Sequence, residues 1–388
     1  MRLVFAHDHV FYKYNNNFYS TGGLSKKMIE RYTNVFNEVI ILSRQKEINN
    51  FDKNLTLSST AGVKFVKIPD FKSIKKIYRL KNAKQLIKNE VSKADAVIGR
   101  LPSSIGSIAI QYARDLSIKS LVEAVACPWD ALWNHSIKGK IIAPFEYKRM
   151  RKLVYNSKYT IYVTNSFLQQ RYPTNGESVN CSNVLISEND HNILEKRIDK
   201  IVSKPVNYNM IIGTIASTDV KHKGQQYIIK ALGELKKEGI TNFQYQLVGK
   251  GNNSYLKSIA KRYGVIEQVK FLGAKNHQDI FDWLDSIDIY TQPSRQEGLP
   301  RALIEAMSRG LPAIGARTAG IPELLKNEFI FSNSKTNIKE IKTLLLKLNI
   351  NRNEMLEQSK TNFKESKNYL MEVIDQRRNS FLEDFCKS

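Results

Sequence analysis

Only three cysteines, Cys127, Cys181 and Cys386, occur in 388 residues. No two are near enough in sequence to make a CxxC unit, which argues against thiolate zinc sites and leaves buried or idle thiols, without structural disulfides. No stretch approaches the roughly 18 consecutive apolar residues of a membrane-spanning helix. Met1–Arg2 runs straight into the apolar Leu3–Ala6 without the regions of a secretory leader, so the expected location is the cytoplasm. An Asp-x-Asp pattern is missing, and no divalent metal is predicted. There is no strand-linked G-x-G-x-x-G, which disfavours a dinucleotide-dependent oxidoreductase. Acidic residues are in short supply, 37 against 60 Lys and Arg, for a formal charge of +23. Such a charge suits nucleic acid or an anionic membrane. The excess is spread over both halves, however, and no finger, RNP-like or basic-zipper pattern accompanies it, so no nucleic-acid partner is expected.

What is present is an ordinary globular composition, 42% hydrophobic and 25% charged. The length suits two domains, each burying its own core. Arg2–Ala6 reads as a strand, His7–Tyr19 as a polar, aromatic loop, and Ser20-Thr21-Gly22-Gly23 as a turn into a helix that precedes a strand at Glu38–Leu42. Further strands are expected at Val63–Ile68, Ala96–Gly99, Leu121–Ala126 and Tyr159–Val163. After the polar stretch Glu188–Asn209 the alternation restarts: strand at Asn209–Gly213, helix at Gln225–Glu238, strand at Gln244–Gly249, and so on to Ala313–Gly315. The rhythm predicts an α/β protein with two Rossmann-like parallel-sheet domains facing a central cleft. The first domain is placed at residues 1–200 and the second at 201–368, with the boundary near 195–207. Residues 369–388 form a helix that returns to the first domain.

Phe71–Lys93 concentrates eight basic residues against Glu90 alone, with Ile74, Ile77, Leu80, Ile87 and Val91 at helical spacing. Two readings stand: a helix packed on its domain with a solvated lysine face, or a peripheral contact with anionic lipid or a phosphorylated acceptor.

The densest chemistry lies in EGLPRALIEAMSRGLPAIGARTAGIPELL, where Glu297 and Glu305 are eight residues apart across a glycine turn and a helix start. Gly298 has no Cβ to obstruct a ligand, and the first N–H groups of the helix lack internal partners. A diphosphate can therefore accept bonds from Gly298, Leu299 or their neighbours. Glu305 can accept bonds from ribose hydroxyls, and Glu297 can meet sugar hydroxyls or positive charge developing at an anomeric carbon. The same residues also admit a plain reading, a turn-capping Glu297 and a surface Glu305. Lys223, before Gly224 at another helix mouth, can neutralise a departing diphosphate.

The stretches GTIASTDVKHKGQQYIIKAL, YQLVGKGNNSYL, VKFLGAKNHQDIFDWLDSIDIYTQPSRQEGLPRALIEAM and GLPAIGARTAGIPELL resemble glycosyltransferase family 4, retaining enzymes of the GT-B fold that use nucleotide-activated sugars and commonly build bacterial capsules, O-antigens and other surface glycans. The resemblance implies that Glu297 and Glu305 are the family's E-x7-E pair and that its diphosphate-holding basic pair falls at Thr214 and Lys223. Thr214 departs from the usual Arg, and Lys221 is the candidate to supply the missing charge. It further implies base-reading backbone at Val269–Gly273, through Phe271 and Leu272, and a flanking turn at Gly249-Lys250-Gly251. In the first domain Thr21-Gly22-Gly23 resembles the glycine loop that approaches donor phosphates and acceptor. The family's sugar-side histidine has Asp130 or the nearby His135 as its counterpart. Trp129 either stacks on a sugar or packs. Arg171 is a contact for donor or acceptor or a structural ion pair, and His7 and His9 are open between an acceptor, a loop bond and solvent.

The implied reaction moves a sugar from a nucleotide diphosphate sugar, UDP-sugar by default and GDP-sugar as the other option, to a hydroxyl of a glycan or polyprenyl-diphosphate-linked glycan, with no cofactor required. Glu297, Lys223 and Asp130 are the expected catalytic residues, and the place of action is the cytoplasm, peripherally on the inner membrane. The rival reading is a nucleotide-sugar or nucleic-acid binding protein without turnover.

Overall fold

The computed structural model describes every residue except Gly22, Lys53, Asn54, Ser73, His135, Glu188, Asn189, Val206, Asn207 and Lys335, and all side chains of the described residues but those of Ile74 and His277. Gly22 and His135, both singled out above, thus lie outside the described residues. The chain forms two compact units, one made of Met1–Trp129, Ile141–Asn183 and Asp375–Ser388, the other of Asp130–Lys140 and Val184–Ile374.

The first sheet contains β1 (Arg2–Tyr14), β2 (Asn17–Ser20), β3 (Glu38–Glu47), β4 (Thr56–Leu57), β5 (Val63–Lys67), β6 (Ala96–Leu101), β7 (Lys119–Ala124), β8 (Tyr159–Tyr162) and β9 (Glu177–Asn180). Its parallel strands run in the order β5-β3-β1-β6-β7-β8-β9, so the strand order reverses beside β1. Leu3–Ala6, Ala96–Ile98 and Leu121–Val122 are buried on both faces, as the near-continuous apolar runs of a covered parallel sheet require. Helices α1 (Lys26–Thr33), α2 (Leu80–Val91), α3 (Ser104–Asp115), α4 (Pro128–Trp133), α5 (Ile137–Tyr155) and α6 (Phe167–Arg171) connect them.

The segment expected as a loop, His7–Tyr19, is strand instead. β1 shifts register between Ala6 and Val10, continues against β3 and turns back antiparallel as β2. The cause is aromatic: Phe11 is fully buried with its ring 4.9 Å from Phe65, which stacks on Phe18 at 4.2 Å. Of the stripe foreseen in Phe71–Lys93, Ile87 and Val91 of α2 are buried in the unit's own core beside Ala83, whereas Ile77 is 60% exposed.

In the second unit β10 (Met210–Ile215), β11 (Phe243–Val248), β12 (Val269–Gly273), β13 (Ile289–Gln292), β14 (Ala313–Ala316) and β15 (Ile330–Phe331) form one parallel sheet in the order β12-β11-β10-β13-β14-β15. The order reverses between β10 and β13, the place where open α/β sheets take ligands beyond the strands' carboxyl ends. Around it are α7 (His191–Ser203), α8 (Gln225–Lys237), α9 (Ser254–Arg262), α10 (His277–Ser286), α11 (Arg301–Ser308), α12 (Asn337–Ile350) and α13 (Arg352–Ser366), whereas α14 (Met371–Lys387) belongs to the first unit from Asp375 on. Ile212, Ile228, Leu232, Tyr245, Leu247, Ile289 and Ile314 make the centre of the core.

The units divide at Asn183–Val184 rather than within 195–207, because α7 is tied to the second. Arg197, 4% exposed, donates to the carbonyls of Arg309, Ile287 and Leu284 at 3.1, 2.7 and 2.9 Å, satisfying chain ends that would otherwise be buried without partners. The Gln358 side-chain amide likewise brackets Ala313, accepting from its N–H at 2.8 Å and donating to its carbonyl at 2.7 Å. Arg378 of α14, 1% exposed, sits in the first unit. It faces Glu123 at 3.4 Å and donates to the Ser182 carbonyl at 3.2 Å, while Tyr32 and Arg100 hold the same carboxylate at 2.6 and 3.0 Å.

Candidate active site at the strand-order reversal of the second unit

β10 and β13 leave the sheet side by side, and each opens into a loop that ends in a helix. The β10 exit passes through the 3-10 turn Lys221–Lys223 to α8, and the β13 exit through residues 293–300 to α11. Gly224 has φ +81°, and a Cβ there would lie 1.9 Å from the Pro293 carbonyl oxygen, so only glycine lets the two loops meet. The Arg295 N–H closes the seam by donating to the His222 carbonyl at 2.7 Å.

This seam brings two of the expected catalytic residues into direct contact. Lys223 Nζ lies 2.7 Å from Glu297 Oε1, with the side chains 27% and 13% exposed. The carboxylate is also held from the sheet: Gln292 Nε2 donates to Glu297 Oε1 at 3.2 Å and to Ser294 Oγ at 2.9 Å, while the Tyr290 hydroxyl donates to Gln292 Oε1 at 3.0 Å. Burial pushes the Tyr290 hydroxyl well above its ordinary range; the Ile215 backbone bond opposes this, and Glu305 and Glu297 add to it. The phenol therefore keeps its proton and fixes the Gln292 amide. Tyr290 and Gln292 were not assigned from sequence, although two residues apart on a strand they share a face.

Neither adjoining helix mouth is filled. α8 and α11 each begin without a side-chain cap and without an acid in the first turn, which leaves N–H groups directed at whatever anion approaches. Two such mouths beside a lysine offer the donors that an anion such as phosphate accepts from, with a carboxylate at their margin. Gly298 turns its carbonyl to the Gly320 N–H at 2.9 Å, and Leu299 is buried at 8% exposure. Among the described residues no group of three His, Cys, Asp or Glu side chains converges as metal ligands would.

The model of the family described as glycosyl transferases group 1 matches residues 210–365, the stretch that carries this geometry. Protein CapJ of Staphylococcus aureus is 34% identical over 336 residues, 85% of this chain and 82% of that protein. The chain belongs to the glycosyl transferases group 1. Also within reach of this family member is the amylovoran biosynthesis glycosyltransferase AmsK of Erwinia amylovora, 36% identical over 112 residues, 27% of each chain. The solved structure of Anabaena HepE in complex with UDP superposes with a TM-score of 0.66 at 15% identity, covering 99% of this chain and 100% of that one. The fold is therefore GT-B, and AmsK is by its name a glycosyltransferase of amylovoran biosynthesis.

In this glycosyltransferase, Thr214 does not sit at the mouth. It is fully buried in β10, its Oγ1 2.6 Å from Thr291 Oγ1 and 2.8 Å from the Tyr245 hydroxyl, so it has no surface to offer a phosphate. Lys221 is exposed and lays its ammonium 4.7 Å from the centre of the Tyr255 ring. Gly249, at φ +156°, lets the β11 exit press on the β10 exit loop, for a Cβ there would meet the Ala216 carbonyl oxygen at 2.0 Å. Phe271 is half-buried under Lys257 at 5.7 Å, and Leu272 is 40% exposed on the edge strand β12.

Of the other candidates, Gly23 lies next to His9, whose Nε2 is 2.8 Å from Ser20 Oγ. His7 Nδ1 bonds the Arg100 carbonyl at 3.0 Å. Burial lowers His7 to about 3 and His9 to about 4, with Arg100 adding to both, so both rings are neutral near neutral pH. Trp129 packs edge-on against Tyr147 at 5.9 Å, and Arg171 lies over the rings of Phe167 and Tyr147. Asp130 is in the first turn of α4; its carbonyl accepts from Asn134 Nδ2, which also reaches the Arg295 carbonyl at 3.3 Å.

Proposed function

We propose that this glycosyltransferase moves a hexosyl or N-acetylhexosaminyl unit from a UDP-sugar, or failing that a GDP-sugar, to a hydroxyl of a glycan or polyprenyl-diphosphate-linked glycan precursor, with retained anomeric configuration. The observation that carries the proposal is the 2.7 Å pair of Lys223 and Glu297 beside two uncapped helix mouths. Lys223 and the first N–H groups of α11 bind the donor diphosphate, Glu305 accepts bonds from the ribose, and Glu297 faces the sugar. As the bond from the anomeric carbon to phosphate oxygen lengthens, negative charge grows on the diphosphate. Lys223 stabilises that charge, and Glu297 stabilises the positive charge left on the sugar. Asp130 takes a donor hydroxyl.

HepE, the UDP-bound structural neighbour, supports the choice of a uridine nucleotide, and AmsK, by name a glycosyltransferase of amylovoran biosynthesis, supports a polysaccharide product. The test is release of nucleotide diphosphate from a panel of UDP- and GDP-sugars, with and without a lipid extract as acceptor, followed by anomeric assignment of the product by NMR. Donor binding without release under any acceptor condition would leave a binding protein in place of an enzyme.

A further inference from the structure

Glu297 is held by only one of its two carboxylate oxygens. Lys223 Nζ and Gln292 Nε2 both donate to Oε1, at 2.7 and 3.2 Å, and among the described residues Oε2 has no hydrogen bond or ion pair. Gln292, 2% exposed at the end of β13, stands where an apolar side chain would bury without polar cost, and a buried amide is tolerated only when its donors and its acceptor are met. Here all are met, and in one direction. Ile215, at the end of β10, gives its backbone N–H to the Tyr290 phenol, and the phenol, itself fully buried, donates to Gln292 Oε1 at 3.0 Å. This leaves Nε2 as the side of the amide turned to Ser294 Oγ, at 2.9 Å, and to Glu297. Turned over, the amide would set its oxygen against the carboxylate and leave the buried phenol proton without an acceptor.

We propose that Gln292 is a positioning residue for turnover, anchoring Glu297 by Oε1 so that Oε2 stays available to the donor sugar, a role that rests on the reading of Glu297 as the group that meets that sugar. A neutral donor suits the task as a second cation would not. It fixes the carboxylate without cancelling the negative charge that stabilises an anomeric carbon as positive charge develops there. Lys223 cannot serve alone, because the donor diphosphate competes with Glu297 for its ammonium. Gln292 carries no charge to draw it to the diphosphate, and both of its N–H groups are committed, so it keeps hold of Oε1 while Lys223 is shared. In this scheme Gln292 touches neither sugar nor phosphate. Its effect passes through Glu297 and falls on the chemical step rather than on donor binding.

The experiment uses the full chain. Turnover is read as nucleotide diphosphate released from the donor that the panel above selects, with the lipid extract as acceptor, and binding by calorimetry with UDP and GDP. Q292M keeps the volume and removes the amide, while Y290F removes the proton that fixes it and keeps the test readable should Q292M lower the melting temperature. Q292M is expected to lower kcat about tenfold or more with KM for the donor and nucleotide diphosphate affinity within about twofold of the parent, and Y290F to lower kcat about threefold. The deciding readout is the combination of each with E297A. With the carboxylate gone, Q292M and Y290F should cost no further turnover, whereas a residue that merely packs the loop would cost the same factor in both backgrounds. Parent-like kcat in both single variants, or equal factors lost with and without Glu297, overturns the positioning role and leaves the role of Glu297 standing. Parent-like turnover by E297A, or a panel in which no donor is consumed, removes the reading of the site itself and this role with it.

Discussion

Both sheets reverse their strand order next to their first strand, yet the two mouths so formed are treated in opposite ways. In the first unit the mouth is sealed from within. The Asp8 carboxylate takes the Ser104 and Ile105 N–H groups at the start of α3 at 2.7 and 3.2 Å, Ser103 caps Gly106 at 2.9 Å, and Lys72 neutralises Asp8 at 2.6 Å. In the second unit the corresponding helix starts carry neither cap nor acid, and Lys223 is matched by Glu297 from the neighbouring loop. One topology thus yields two different helix starts: the first is capped by the chain's own aspartate, and the second has no side-chain cap and no acid in its first turn.

The contrast can be broken most severely at Glu297. E297Q keeps the shape and loses the charge, and the expected result is a fall in turnover of about a hundredfold or more with donor affinity changed far less, read from steady-state kinetics beside donor binding. K223A acts on the other partner and should weaken donor binding by about 1.5–3 kcal/mol, measured by calorimetry with the nucleotide diphosphate. In the first unit, D8A unseals the mouth. Its stability should drop by about 1–2 kcal/mol, as for loss of a helix cap, with added sulfate recovering part of the melting temperature and the donor affinity unaltered. The smallest effect is one of pH. His9 is held low, at about 4, by burial first and by Arg100 and Arg44 next. Below an ordinary value of about 6.5 the unfolded chain therefore binds more protons than the folded one, and stability declines as pH falls toward the folded value. H9Q should flatten the loss of melting temperature between about pH 7 and about pH 5; an unchanged slope would show that His9 contributes nothing to it.

Much of the architecture was legible because buried parallel strands write themselves as apolar runs, and Leu3–Ala6, Ala96–Ile98 and Met210–Gly213 could hardly be anything else. The Glu297–Lys223 pairing was legible as two separate residues but not as a contact, since 74 positions separate them and only the closeness of the β10 and β13 exits unites them. Thr214 came in through the family resemblance, in the place of the usual Arg, whereas its side chain stays in the hydroxyl network with Thr291 and Tyr245. The β1–β2 hairpin was hidden for a different reason. Polar His7, Asp8 and His9 interrupt the apolar pattern, and the bonds that make them acceptable inside come from Arg100, Ser104 and Ser20, which local periodicity does not reveal.

Arg378 also sets an order of events during biosynthesis. The cluster that shares Glu123 with Tyr32 and Arg100 receives this guanidinium from near the end of the chain. A nascent polypeptide, even with every strand of its first sheet already emerged from the ribosome, must wait until position 378, 255 residues beyond Glu123, has been made before that cluster is complete. Release of a truncated product lacking α14 would leave the amino-terminal half exposed to chaperones and proteases.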